Sequence, residues 1–431
     1  MTIAIICIFI VGYILIAMET VTGMNKAAIA LLMAVLSWSL FYMGFGATPE
    51  NSSALTKALG ETSEILFFLL GAMAIVEVVD ANGGFNFVRK SLRSRSKRGL
   101  LWKLTIITFI LSAVLDNMTT AIVMVMVLNK VVTDTRDKLI YSSMVILAAN
   151  SGGAFSPIGD VTTIMLWVKG NISTSGVIKS LFLPSLASIA VPAAILSFML
   201  KGRLAADDTL TKQELNEGDT KINPVFIIGV GGLLSVPVFR FATGLPPYMG
   251  ILLILAILWI VTESAEFTGV SALLQKIDLN TILFFLGIMT TIAALSETGA
   301  LKSLGQFLDS KFDSNPYIIT ALIGVLSAVV DNVPLVASCM GMYDISADAS
   351  TMAIYGTDGT FWEMLAYCAG VGGSMLIIGS AAGVVVMGLQ NISFGWYLKN
   401  FSWIAAIGYL SGIAIYILQG AIQYQRHTVL W

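Results

Sequence analysis

Apolar runs of about the 20 residues that a helix needs to cross a bilayer recur along almost the whole of this 431-residue chain, and two of them carry Asp-Asn at their middle. The first property decides the solvent. Hydrophobic residues make up 57% of the chain and charged residues 12%, against roughly 25% charged in soluble domains. No stretch is left for a soluble domain of any size. The expected fold class is an all-α membrane protein. A net charge of -2, with the basic residues gathered in short loops beside apolar segments where they set orientation, excludes nucleic acid as a partner. Cys7, Cys339 and Cys368 lie far apart inside apolar segments with no ligand spacing and read as core packing. The first segment has no positive leading region and no small-residue cleavage site, so it reads as a retained helix.

Ten full spans are expected, near residues 3–18, 26–45, 64–80, 138–168 and 179–200, then 223–241, 248–262, 281–296, 362–390 and 400–419. Two apolar stretches remain, 103–129 and 317–343, centred on Asp116-Asn117 and Asp331-Asn332. Arg89, Lys90, Arg93, Arg95, Lys97, Arg98 and Lys103 precede the first, and Lys130, Arg136 and Lys138 follow it. Basic loops stay in the cytoplasm, so this stretch should enter the membrane, turn near Asp116 and leave as it came. Arms of about 12 residues at about 1.5 Å per residue reach roughly 18 Å, past the middle of a core about 30 Å thick. The second stretch is followed by Asp344, Asp348, Asp358 and Glu363 with no Lys or Arg before the next helix, which places its flanks outside. With five spans per half, the halves would have opposite orientation, and their hairpins would enter from opposite faces.

A repeat is also visible in letters. Leu66-Phe67-Phe68-Leu69-Leu70-Gly71 resembles Ile282-Leu283-Phe284-Phe285-Leu286-Gly287, Ser112 to Asn117 matches Ser327 to Asn332, and Asn150-Ser151-Gly152-Gly153-Ala154 parallels Gly370-Val371-Gly372-Gly373-Ser374. The order is preserved. The chain is therefore divided into a first inverted repeat, 1–200, a polar cytoplasmic linker, 201–222, and a second inverted repeat, 223–431. About ten transmembrane helices, two re-entrant hairpins and broken helices make up the whole.

Asp116 and Asp331 carry the strongest signal, because a carboxylate in an apolar span is costly unless it serves a cavity, a partner or an ion. Each also suits the cap of a short helix beginning just after it, and the two roles are compatible. The second signal is Asn150-Ser151-Gly152-Gly153 followed by Ser156-Pro157-Ile158-Gly159-Asp160-Val161-Thr162-Thr163. Gly and Pro break the helix there, and irregular backbone survives at membrane depth only beside a protein-lined cavity. Its counterpart, Gly372-Gly373-Ser374 with Gly379-Ser380, has no carboxylate, so the halves contribute unequally. Glu77 is either a proton carrier or a boundary residue beside the basic loop. Glu263, Glu266 and Glu297 sit at span ends and read as interfacial. The only histidine, His427, lies near the C-terminus, which leaves carboxylates for any proton coupling.

The segments Asp116-Asn117-Met118-Thr119-Thr120, Asn150 to Thr163 and Ser327 to Asn332 resemble the NhaD-type sodium/proton antiporters of the ion-transporter superfamily, over nearly the whole chain. The resemblance implies two inverted repeats with re-entrant hairpins, a homodimer, and exchange of sodium or lithium for protons. Alternating access without a cofactor or enzymatic activity is the expected mode, and the basic loops and missing disulfide pattern fit a bacterial inner membrane. Asp116, Asn117, Thr119, Asn150, Ser151, Asp160, Thr162, Thr163, Ser327, Asp331, Asn332 and Ser374 are the expected ion-binding residues. Asp116, Asn117, Asn150, Asp160 and Thr163 are the direct sodium ligands among them. Asp116, Asp160, Asp331 and Glu77 are the candidates for proton coupling. Carboxylate, amide and hydroxyl oxygens suit a hard cation, and a carboxylate out of water is neutralised by a proton or by a cation, which then compete. Arsenite and sodium/dicarboxylate carriers share the hairpin plan. An oxyanion efflux carrier or a sodium-coupled dicarboxylate carrier is therefore the alternative.

Overall fold

The computed structural model describes residues 1–85, 91–92, 94, 96–200, 202, 224–264, 268 and 270–429. Apart from Gly202, the expected linker 201–222 lies outside them, as do Arg89, Lys90, Arg93, Arg95 and Glu266. The main helices of the first half are α1 (Thr2–Ala17), α2 (Lys26–Phe45), α3 (Pro49–Ala81), α4 (Lys97–Ser112), α5 (Asn117–Val131), α6 (Thr135–Ala154), α7 (Val161–Val168) and α8 (Thr174–Met199). Those of the second half are α9 (Pro224–Thr243), α10 (Pro247–Ser264), α11 (Leu279–Glu297), α12 (Ala300–Lys311), α13 (Pro316–Ser327), α14 (Asn332–Met342), α15 (Thr360–Gly372), α16 (Ala381–Gln390), α17 (Phe394–Asn400) and α18 (Ser402–Val429).

Six of these, α2, α3, α8, α9, α11 and α18, are each long and apolar enough to cross a membrane. They match six of the ten expected spans. Of the other four, the spans near 3–18 and 248–262 form shorter apolar helices, and those near 138–168 and 362–390 are broken into α6/α7 and α15/α16. The breaks fall where Gly and Pro were noted. Helix α3 begins well before the apolar run, at Pro49, because the Thr48 hydroxyl accepts the Asn51 N–H and proline fits the first helical position. The amphipathic α12 was not expected at all.

Packing in the second half repeats that in the first. Helix α2 packs on α11 as α10 packs on α3, α4 on α6 as α13 on α15, and α1 on α2 as α9 on α10, while α8 packs on its own counterpart α18. The repeat extends to single atoms. Ser112 Oγ donates to the Ala149 carbonyl (2.6 Å), and Ser327 Oγ to the Ala369 carbonyl (2.7 Å). Helices α3 and α11 run antiparallel. The C-terminal half of α3, with Phe68 and Ala72, shares one cavity with Thr281 and Phe285, and its N-terminal half, with Ala58 and Thr62, shares another with Ala293 and Glu297.

Glycine permits the closest of these repeated contacts. A Cβ on Gly152 would stand 2.3 Å from the Phe109 carbonyl oxygen, and one on Gly372 would stand 2.2 Å from that of Gly324. Both obstacles are backbone and cannot swing away. Gly372→Ala is therefore expected to destabilise the protein by about 3 kcal/mol, read as a clear drop in the thermal unfolding midpoint in detergent. Gly388→Ala, in α16 with no atom near the added methyl, should leave that midpoint unchanged or raise it.

Candidate functional site

Four short helices begin near one another between the two halves, each capped by its preceding side chain. Asp116 caps α5 through the Thr119 N–H (2.8 Å), Asp160 caps α7 through the Thr162 N–H (3.2 Å), Asp331 caps α14 through the Val333 N–H (3.4 Å), and Ser380 caps α16 through the Gly383 N–H (3.2 Å). Asp and Ser serve here because their oxygens reach the free N–H groups of a helix start. Helices α5 and α16 leave the centre together, since Gln390 Nε2 donates to Asn129 Oδ1 at their far ends (2.9 Å). Helices α7 and α14 end at the rim of a cavity of about 400 Å³ that includes Glu61, Lys169, Glu297, Tyr343 and Asp344. Lys169 is ion-paired to Glu61 across it.

A buried chain of amides and hydroxyls connects the helix starts. Asn117 Nδ2 donates to Asn150 Oδ1 (3.0 Å) and to Asp160 Oδ2 (3.3 Å). Asn150 Nδ2 in turn donates to Ser374 Oγ and Ser380 Oγ, both at 2.9 Å, and so joins the first half to the second. Tyr397 fixes this edge by donating to the Ser374 carbonyl (2.7 Å). On the other side Ser327 Oγ stands 3.1 Å from Asn332 Oδ1, and a Cβ on Gly373 would lie 2.7 Å from that same oxygen. Opposite Asp160 is Gly370, whose added Cβ would come within 3.5 Å of Asp160 Oδ2. On that side the carboxylate faces backbone, while Asn117 holds it from the other.

The structure thus brings together Asn117, Asn150, Asp160 and Ser374, with Ser327 and Asn332 close by. Thr162 is fully buried with its Oγ1 unpartnered, which leaves an oxygen beside Asp160. Other expected residues have different duties. Thr119 Oγ1 donates to Asp116 Oδ2 (2.5 Å), Thr163 Oγ1 donates to the Asp160 carbonyl (2.8 Å), and Ser151 Oγ accepts from Ser188 Oγ (2.8 Å). Glu77 stands apart at the far end of α3, paired with Lys276 (3.3 Å). Asp331 lies 3.9 Å from Lys26 Nζ.

Ser380 is absent from the expected ligand set, although a signal for it exists. It stands 220 positions after Asp160, the same offset that relates Asn150 to Gly370 and Ala149 to Ala369. It occupies the place of Asp160 in the second half. Lys26 carries no comparable signal in the sequence. Among the described residues no group of three or more His, Cys, Asp or Glu side chains is placed to hold a metal ion. The oxygens at the centre come instead from single carboxylates, amides and hydroxyls.

Residues 13–357 match the family model described as "Citrate transporter". The chain is 42% identical to "Sodium/proton antiporter 1" of Arabidopsis thaliana, over 99% of this chain and 74% of that protein. It is 29% identical to the "Na(+)/H(+) antiporter NhaD" of Vibrio cholerae, over 96% of this chain and 91% of that one. Among solved structures, the YdaH transporter of Alcanivorax borkumensis is similar in fold, with a TM-score of 0.58 at 10% identity, covering 93% of this chain and 99% of the other. The spans, the broken helices and these likenesses agree: the chain belongs to the citrate transporter family, a family of multi-pass membrane transporters and not of enzymes, with the NhaD-type antiporters among its relatives.

Proposed function

We propose that this protein exchanges sodium or lithium for protons by alternating access, with the cation held where the four helix starts meet. One observation carries the reading. Four helix starts of about +0.5 charge each would together suit an anion, but three of their four caps are aspartates, and these outweigh the dipoles by about one negative charge before the Lys26 ammonium beside Asp331 is counted. A centre with that balance attracts a cation. Asp160 Oδ2, Thr162 Oγ1 and the oxygens of Asn117 and Asn150 are hard ligands within it. A proton would neutralise the same carboxylate, so competition between the two suffices for antiport.

The antiparallel course of α3 and α11 and the repeated packing support reading the halves as inverted repeats. Asp116 and Asp331, at the two tips, then share proton coupling with Asp160, while the pairing of Glu77 with Lys276 favours its reading as a boundary residue. The remaining parts of the proposal are a homodimer in lipid and a role in pH homeostasis. Placement in a bacterial inner membrane rests on loop charge and unpaired cysteines, and the plant relative argues against limiting it to bacteria.

The family's description favours a second reading, a sodium-coupled carrier of a carboxylate anion. Purified protein in proteoliposomes with an internal pH dye separates the two. External sodium or lithium should alkalinise the lumen, and potassium or citrate should not. A response that requires citrate, with sodium alone silent, would replace antiport by anion transport.

A further inference from the structure

The two tip carboxylates are not equivalent. Among the described residues Asp116 forms no ion pair, whereas Asp331 faces the Lys26 ammonium at 3.9 Å. Lys26 is the first residue of α2, with Asn25 as its cap. A cation there opposes the positive end of its own helix, so its position calls for a compensating partner. The lysine has two resting contacts. Besides Asp331, its Nζ stands 4.8 Å from the centre of the Phe284 ring, within the range of a cation–π attraction. Glu19 also lies nearby and accepts the Lys26 backbone N–H (3.2 Å).

The pair is loose and wet enough to open. Its side chains are 27% and 24% exposed, and they border a cavity of about 60 Å³ lined also by Tyr13, Glu19 and Ser380. Ser380 is bonded to Asn150, so this cavity adjoins the chain of amides that reaches Asp160. A cation in that chain and the Lys26 ammonium draw on the same surplus of negative charge, about one unit when the helix starts are counted.

Resting on the exchange reading, we propose that Lys26 is a tethered competitor of the transported cation. Its ammonium occupies the charge of Asp331 in the ion-free protein and moves toward Phe284 when sodium arrives. The lysine thereby sets the sodium concentration at which the carrier works, and it makes one tip respond to the ion while the other remains open to it.

The test measures the half-saturating sodium concentration for proton movement in proteoliposomes of the full chain. Lys26→Gln should lower it about tenfold, the effect of deleting one nearby like charge in a partly screened site. Lys26→Arg, which keeps the charge, should remain within threefold of wild type. Lys26→Cys should behave as the glutamine variant and return toward wild type when aminoethyl methanethiosulfonate restores an ammonium after folding, with wild type treated alike as the control for Cys7. An unchanged or higher half-saturating concentration in Lys26→Gln and in unmodified Lys26→Cys would overturn the proposal while leaving exchange itself intact. A wild type that gives no sodium response would instead overturn the exchange reading beneath it.

Discussion

Asp160→Asn is expected to abolish sodium-driven proton movement, lowering its rate at least about a hundredfold, while the protein still folds. Both halves of this expectation follow from how the side chain is held. Asp160 is 2% exposed, with one oxygen capping α7 and the other accepting from Asn117. Asparagine caps a helix nearly as well as aspartate, and its amide fills the same space opposite Gly370. The charge is lost, and with it the acceptor for Asn117, whose amide still donates to Asn150. Tens of kcal/mol separate a bare buried charge from a solvated one, so a cation has no reason to enter a centre that has lost its deepest carboxylate. Rates measured at equal protein in proteoliposomes, beside matching size-exclusion profiles, test this. Exchange within a few-fold of wild type would move the functional charge to Asp116 or Asp331.

Asn150→Ala should combine a functional loss with a structural one. The amide is fully buried and makes three bonds, two of which join the halves: it accepts from Asn117 and donates to Ser374 and Ser380. Removing it strands buried polar groups at about 1–3 kcal/mol each, less at Ser380, whose oxygen keeps the Gly383 N–H as a donor. A net destabilisation of about 2–4 kcal/mol is expected, seen as a lower unfolding midpoint in detergent. Asn117 also loses an acceptor, so its hold on Asp160 Oδ2 loosens and the half-saturating sodium concentration should rise about tenfold or more. A variant with wild-type stability and wild-type sodium dependence would show that the bridge is incidental.

These two residues were legible in the sequence for a physical reason. Carboxylates and amides inside apolar segments are too costly to be accidental, and Gly-Gly beside Asn150 marks a break that lipid does not tolerate. The letter repeat from Ser112 to Asn117 and from Ser327 to Asn332 foretold contacts that the structure repeats atom for atom, such as Ser112 on Ala149 and Ser327 on Ala369. Other features left no trace of that kind. Ser380 reads as part of the counterpart break, but without a carboxylate to mark it, its place at the centre emerges only when the offset from Asp160 is followed through. Lys26 meets Asp331 from 305 positions away, a contact that no periodicity reports. Glu77 reads as either a proton carrier or a boundary residue, and Lys276, its partner, is 199 positions away in the chain. The early start of α3 was hidden because caps, and not hydropathy, fix where a helix begins. Helix α12 escaped notice because polar residues alternate with its apolar ones along the sequence, so that it forms no continuous apolar run.

Binding of sodium at the expense of a proton is the step on which the account depends, and it can be observed without a membrane. Sodium chloride added to purified wild-type protein in lightly buffered detergent, with a pH dye present, should release protons in a saturable manner. Potassium chloride at equal ionic strength should release none, and Asp160→Asn should release none with either salt. Sodium binding without proton release in the wild type, or equal release from Asp160→Asn, would contradict a single centre shared by the two ions.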